Sequence, residues 1–219
     1  SAMENFLIIF VLIASIVVHE VAHAWQARRE GDDTAEKLGR ITLNPLPHLD
    51  LMGSFVVPVA LYFSGTGFLF GWAKPVPVNP GNYRDYVAGD IRVSMAGIVS
   101  NLILVVLATI LTAILVKVQS VFGSLGGLID LAVFALYYAI FINLILAVFN
   151  LIPVPPLDGS HVLAHLLPER FQHAYRVFGQ YGVLALMGTL YLVPGAFNIV
   201  LRPVLFLQGL TDWFIRLWV

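Results

Sequence analysis

The chain has 219 residues, of which 59% are hydrophobic and 11% are charged, with a net charge of −1 and no cysteine. Soluble domains are about 45–50% apolar and about 25% charged, so this composition excludes an ordinary soluble domain and predicts a lipid bilayer as the surroundings. It also argues against a nucleic-acid partner, and it excludes disulfides and thiolate metal ligands.

The hydrophobic segments predict an all-α polytopic membrane protein, because a spanning helix needs about 20 mainly apolar residues. We expect a single domain over residues 1–219 with about five to six membrane helices. The three core helices are expected at about 6–27, 93–117 and 131–152, and the C-terminal helices at about 178–201 and 204–219. Pro194 is expected to kink the first C-terminal helix. The last helix fits either a tilted span or an interfacial helix.

The first predicted helix carries His19, Glu20 and His23 toward its C-terminal end. Two histidines four residues apart lie on one helix face, where both imidazoles can bind one Zn²⁺. Glu20 is offset from that face, which favours a general base acting on water over a third ligand. Ionisable residues inside a span are costly and functional by default, so a metal-free polar cluster or ion path is the less favoured alternative.

The uncharged segment 51–73 is long enough to span a membrane but is interrupted by glycines and a proline. Its β-branched and aromatic residues flank Ser64-Gly65-Thr66-Gly67, which is typical of two short strands joined by a turn. We therefore expect a re-entrant, β-hairpin-like segment at about 51–73. It should lean on the functional site, because such backbone needs cover from protein or a water-filled cavity.

A third metal ligand is needed beside the two histidines, and Asp158 is the candidate. It follows three prolines that break the helix after Asn150, although an Asp-Gly in that setting is usually only a turn. If Asp158 is to reach the end of the first helix, that helix and the helix at 131–152 must run in the same direction. Residues 51–73 must then enter and leave on one face of the membrane.

The positive residues test this topology independently, because short cytoplasmic loops are enriched in Lys and Arg. Most of these residues fall on one face of the membrane, and Lys117 and Arg202 fall on the other, so the helix ends that carry the site are expected at the cytoplasmic side. The residues expected there are Arg28, Arg29, Lys37, Arg40, Lys74, Arg84, Arg92, Arg170 and Arg176.

The motif H-E-x-x-H in a first core helix, with N-x-x-P-x-P-P-L-D-G after a later one, resembles the site-2 protease family of intramembrane zinc metalloproteases. Residues 96–101, Ala-Gly-Ile-Val-Ser-Asn, are similar to a further family element, with Ile98 where the family often has proline. Segments 39–50 and 71–80 resemble a compact bacterial branch without a PDZ domain. The likeness covers about residues 11–163.

The resemblance implies a three-helix catalytic core in which His19, His23 and Asp158 bind one Zn²⁺ per chain and Glu20 activates water. Asn150 matches a family asparagine that orients the scissile carbonyl or its oxyanion, while a capping or packing role is the alternative. The implied activity is hydrolysis of a peptide bond within or near a transmembrane segment of a membrane-protein substrate. The implied location is the bacterial inner membrane.

The main rival is a non-proteolytic membrane protein that binds or transports metal ions or protons with the same His/Asp cluster. His161 and His165 form another pair with helical spacing, but no glutamate follows His161, so we discount them as ligands. His48 is expected in a loop, where it is structural, solvated or at the mouth of the site. Asn101 is expected to hydrogen-bond between helices. We also hypothesise that an edge of segment 51–73 clamps the substrate by β-addition.

Overall fold

The computed structural model describes residues 2–57, 60, 63, 73–123 and 126–218. Its described part is helical and contains no strand. A π-helical turn lies at Met52–Val56, and 3₁₀ turns lie at Leu46–His48 and Pro80–Asn82. The α-helices are α1 (Ala2–Glu30), α2 (Thr34–Lys37), α3 (Tyr86–Phe122), α4 (Gly127–Asn150), α5 (Gly159–Leu166), α6 (Glu169–Gly179), α7 (Gly182–Leu192) and α8 (Ala196–Arg216).

Three of the described helices, α1, α3 and α4, are long and apolar enough to cross a membrane. Helices α7 and α8 pass the same test only as a pair, and they are bent by 91° at the break between them. The prediction of an all-helical membrane fold is therefore confirmed, whereas the count of five to six spans is not.

Helix α3 extends beyond the apolar run that predicts it at both ends, because its caps lie further out. The Asp85 side chain accepts a hydrogen bond from the backbone N–H of Ala88, which starts α3 before the predicted residue 93. At the other end, Gly123 adopts a φ of +78°, the left-handed conformation that commonly ends a helix.

Polar contacts fix the relative directions of the three long helices. The backbone N–H of Arg84, just before α3, donates to the carbonyl of Glu30 at the end of α1. Farther along, the Asn143 amide of α4 donates to Ser15 of α1, and it accepts from Asn101 of α3. Near the end of α3, the Gln119 amide donates to Asp130 in the first turn of α4. Helices α1 and α4 therefore run in the same direction and α3 runs against both, so the chain between α1 and α3 begins and ends at one face.

The core of the bundle lies between α3, α4 and α8, where Val105, Ile140, Leu144, Val204 and Ile215 are buried together. The opposite side of α3 exposes large apolar side chains, which an aqueous protein would not display as a continuous stripe. These outward residues are Leu102, Ile103, Val106, Leu107 and Ile110. The stripe is the surface expected to face lipid, as the composition requires.

Segment 51–73 differs from its predicted form where it is described. The π-helical turn at Met52–Val56 occupies the start of the expected first strand, and residues 57, 60 and 63 are also helical. The Asp50 carboxylate accepts from the backbone N–H of Gly53, so this turn begins at a side-chain cap rather than at a strand partner. The first strand is therefore wrong. The turn at 64–67 and the second strand lie outside the described residues.

The C-terminal helices also depart from the prediction. The helix expected at 178–201 ends at Leu192, and α8 begins at Ala196 after Gly195, which has a φ of +85°. Helix α8 then continues through Pro203 to Arg216, so the predicted boundary between 201 and 204 is wrong. Pro194 thus marks a break rather than a kink, because the glycine beside it permits a sharp change of direction.

Candidate metal centre

Three side chains from two parts of the chain meet between α1, α3 and the start of α5. The Nε2 atoms of His19 and His23 lie 3.0 Å apart. Asp158 Oδ2 lies 3.1 Å from His19 Nε2 and 3.4 Å from His23 Nε2. Within the described part of the chain, this is the one group of three such residues whose ligand atoms all lie within 4.8 Å of one another.

The other ring nitrogen of each histidine faces an acceptor. His19 Nδ1 lies 2.6 Å from Asn101 Oδ1, and His23 Nδ1 lies 2.7 Å from the carbonyl oxygen of Val93. The carbonyl can only accept, and the Asn101 amide is oriented by its own donation to Asn143, so each Nδ1 is a donor. In its neutral form, each imidazole therefore presents a lone pair at Nε2, which is the form that binds metal.

The described residues therefore fit a bound cation. Two Nε2 lone pairs face each other, and the buried Asp158 Oδ2 has no hydrogen-bond partner. Such a set of acceptors is satisfied by a shared positive ion, and two imidazoles with one carboxylate form a known catalytic zinc ligand set.

Gly97 of α3 makes room for this group. A Cβ at position 97 would lie 2.5 Å from His19 Cε1 and 2.6 Å from His23 Nε2. Real side chains do not approach that closely, so only glycine lets α3 pass directly behind the two imidazoles.

Asp158 is placed by the irregular segment after α4 and by the start of α5. A Cβ at Gly159 would lie 2.3 Å from the carbonyl oxygen of Leu151, so the absence of a side chain lets the chain turn tightly against the end of α4. The Oδ2 atom of Asp158 is buried without a hydrogen-bond partner and faces the Nε2 atoms of His19 and His23.

Glu20 lies beside the metal group rather than in it. Its Oε2 atom accepts a hydrogen bond of 2.9 Å from the backbone N–H of Val76. The segment around Val76 is held in turn by Arg40, which donates to the Lys74 carbonyl, and by buried Asp32, which accepts from the Asn79 N–H. Burial raises the pKa of Asp32, but hydrogen bonds from Asn79, Thr34 and Asn82 lower it below its ordinary value, so a charged carboxylate anchors the segment.

An apolar cavity of about 480 Å³ opens beside His19, Glu20 and Asn150. Its walls come from α1, the end of α4, the proline-rich segment and α7. The apolar residues among its described lining are Ile16, Ala73, Pro75, Leu146, Phe149, Pro156, Leu157, Val183, Leu186 and Met187. The polar groups of the site thus line one part of an otherwise apolar space.

Asn150 lines this cavity and is not one of the three converging residues. Its amide Nδ2 donates to the carbonyl of Leu146, one turn earlier in α4, at 2.9 Å. An amide nitrogen carries two hydrogens, so the second N–H can donate elsewhere.

The remaining histidines are separate from the group. His48 is buried and contacts the carbonyl of Thr42, so its position is structural rather than at the mouth of the cavity. His161 and His165 both contact Asp90 of α3.

The sequence analysis missed the outer partners of the histidines. Asn101 does bridge helices, as expected, but it also orients His19, and the Val93 carbonyl does the same for His23. A spacing of four and eight residues places Val93, Gly97 and Asn101 on one face of α3, which is a signal that the sequence contains.

Comparisons with known proteins agree with these features. The model of Peptidase family M50 matches residues 7–194. The chain is 37% identical over 193 residues to "Putative zinc metalloprotease YwhC" of Bacillus subtilis, covering 85% of this chain and 80% of that protein. It is 35% identical over 181 residues to "Putative zinc metalloprotease Rip2" of Mycolicibacterium smegmatis, covering 81% of this chain and 64% of that protein. No solved structure matches it significantly.

Proposed function

Since this chain belongs to peptidase family M50 and is a zinc metalloprotease with membrane helices, we propose that it cuts membrane-protein substrates within or near a transmembrane segment. One observation carries the proposal: His19 and Glu20 line an apolar cavity among helices that are themselves apolar enough to span a membrane. A water-soluble peptide would gain little from such a lining, whereas an apolar segment would. The family and the relatives' names do not favour the rival transport function.

We propose that His19, His23 and Asp158 hold the zinc ion. Their three ligand atoms converge, and the Nδ1 contacts of both histidines keep the Nε2 lone pairs aimed inward. When bound, Zn²⁺ supplies Lewis acidity that polarises a carbonyl oxygen and lowers the pKa of water.

Glu20 is the proposed general base. The Val76 N–H occupies Oε2, which fixes the carboxylate beside the metal group. The other carboxylate oxygen then takes a proton from the attacking water and returns it to the leaving amine nitrogen. A glutamine at this position would keep the size and the Val76 contact but could not accept that proton.

Asn150 is the proposed donor to the substrate carbonyl. One amide hydrogen is used by the Leu146 carbonyl, which fixes the side-chain rotamer at the edge of the cavity. The second can donate to negative charge that develops on the carbonyl oxygen, and such a donor is effective where water is excluded. The apolar walls of the cavity supply that exclusion.

We infer that the protein lies in the bacterial inner membrane with its site near the cytoplasmic side. The C-terminal end of α1 carries Arg28 and Arg29, and the start of α3 carries Arg92 at the same end of the bundle. Positive residues near helix ends favour the cytoplasmic face. The active-site residues lie within three turns of that end of α1, so the cut would fall near the cytoplasmic boundary of the substrate helix.

Cleavage of two matched peptides tests the proposed substrate class. One is a single-span peptide with an uncharged apolar segment in detergent micelles, and the other is a soluble peptide that carries the residues around its cleavage site. We expect the wild type to cut the first much faster and Glu20→Gln to cut neither. Equal cleavage of both peptides would contradict the proposal that the substrate is a membrane segment.

A further inference from the structure

A second cluster of ionisable residues lies between α3 and α5 and has no part in the proposed chemistry. His165 Nε2 lies 2.8 Å from Asp90 Oδ2, and His161 Nδ1 lies 3.2 Å from the same oxygen. Asp90 is only 7% exposed, and the ring of Tyr86 packs edge-on against His165. The two histidines share one face of α5, so both reach the single carboxylate on α3.

The arrangement is that of hydrogen bonds rather than of a second metal site. Both ring nitrogens converge on one oxygen at hydrogen-bond distances, as when a carboxylate accepts from two donors. In the described part of the chain, only the group of His19, His23 and Asp158 brings three ligand atoms within 4.8 Å of one another.

Asp90 belongs to the same stripe of α3 that orients the metal group. Asp90, Val93, Gly97 and Asn101 follow one another at spacings of three, four and four residues, which places them on one helix face. The Asn101 side chain accepts a hydrogen bond from His19, the Val93 carbonyl accepts one from His23, and Gly97 leaves room for both rings. The fourth, Asp90, contacts the helix that begins immediately after Asp158.

We propose that Asp90 is a positioning residue, which holds α5 against α3 through His161 and His165 and thereby keeps Asp158 beside His19 and His23. Asp158 follows a run of prolines, so the segment before it cannot be held by a regular helical hydrogen-bond ladder. Gly159 packs it against the end of α4, and Asp90 contacts His161 in the first turn of α5 and His165 in the second. One helix, α3, thus sets the positions of all three proposed ligands.

Zinc affinity tests this inference, which rests on the proposed ligand set but not on the proposed substrate. The measurement is competition with a chelator of known affinity on the purified full chain in detergent, for Asp90→Ala, His165→Phe and the double variant. We expect each single variant to bind zinc about tenfold more weakly, at the lower end of the range for outer-shell partners. The double variant should be no weaker than Asp90→Ala alone, because that substitution already removes the contact that His165→Phe breaks.

Arg92→Gln is the matched control. It breaks the ion pair between Arg92 and Glu30, which joins α3 to α1 at the same end of the bundle without touching α5. We expect it to lower the unfolding temperature while leaving zinc affinity within about twofold, since it orients no ligand. Circular dichroism on every variant shows whether the helices are retained.

Three results would overturn the proposal. Unchanged zinc affinity in Asp90→Ala would remove the positioning role. Equal weakening in Arg92→Gln would show a general effect of α3 stability. Two zinc ions in the wild type and one in Asp90→Ala would assign a second metal site instead. If affinity falls as expected but the wild type cuts no transmembrane peptide, the proposed substrate class fails while the positioning role stands.

Discussion

His19 Nδ1 donates to the side-chain oxygen of Asn101 over 2.6 Å, across the contact between α1 and α3. The Asn101 amide donates onward to Asn143 of α4, which donates to Ser15 on the turn of α1 before His19. A buried chain of hydrogen bonds therefore joins all three core helices and fixes His19 in the tautomer that carries its proton on Nδ1. Because Asn101 is fully buried, loss of its oxygen would leave the imidazole N–H without a partner.

Asn101→Leu should therefore weaken zinc binding. The substitution keeps the branched shape and the number of side-chain heavy atoms but removes the acceptor that fixes the His19 ring and its tautomer, and we expect a loss of about 10–100-fold in affinity. Thr109→Val is the control on the same helix, because the Thr109 hydroxyl bonds only to a carbonyl of its own helix, that of Val105. Chelator competition on both variants is the measurement, and equal affinities would contradict the orienting role.

Gly97→Ala should disrupt the centre by volume alone. The added Cβ would lie 2.5 to 2.6 Å from atoms of both imidazoles, so His19 and His23 must move apart or α3 must shift away. We expect most of the bound zinc and the proteolytic activity to be lost. Gly188→Ala is the matched substitution in α7, where the added Cβ meets nothing within 4 Å. Zinc content after dialysis distinguishes them, and retention by Gly97→Ala would show that α3 does not pack as closely as described.

Met187→Trp should reduce cleavage without reducing zinc content. Met187 lines the apolar cavity from α7, so a larger ring would fill space that a substrate side chain needs. Leu184→Trp provides the control, because Leu184 lies on the same helix but is 73% exposed and does not line the cavity. The ratio of kcat/KM to the wild-type value is the readout. Full activity in Met187→Trp would exclude this cavity as the substrate site.

The sequence was informative where a function requires fixed spacing. His19, Glu20 and His23 are adjacent along a helix, so their common location followed from helical geometry. Asp158, more than a hundred residues away, could be linked to them only through the direction of α4 relative to α1. The structure brings it within 3.4 Å of both histidines.

Other features depended on contacts that no local pattern records. Residues 52–57 contain β-branched and aromatic side chains typical of strands, but the backbone there forms a helical turn, and the Asp50 carboxylate accepts from the Gly53 N–H at its start. The sequence around Pro203 predicted a boundary between two helices. Helix α8 instead continues through it, because its buried face packs on α4 through Val204 and Ile215. The contacts of Asp90 with His161 and His165 join residues about seventy positions apart, so the sequence alone did not predict them.

Zinc content of the purified protein tests the central claim most directly. Metal analysis after removal of loosely bound ions should give one zinc per chain in the wild type, in Glu20→Gln and in the exposed-histidine control His173→Ala. His23→Ala and Asp158→Ala should hold far less than one, because each removes a ligand atom from the converging group. A wild type without zinc, or His23→Ala and Asp158→Ala variants that keep it fully, would contradict the proposed metal centre.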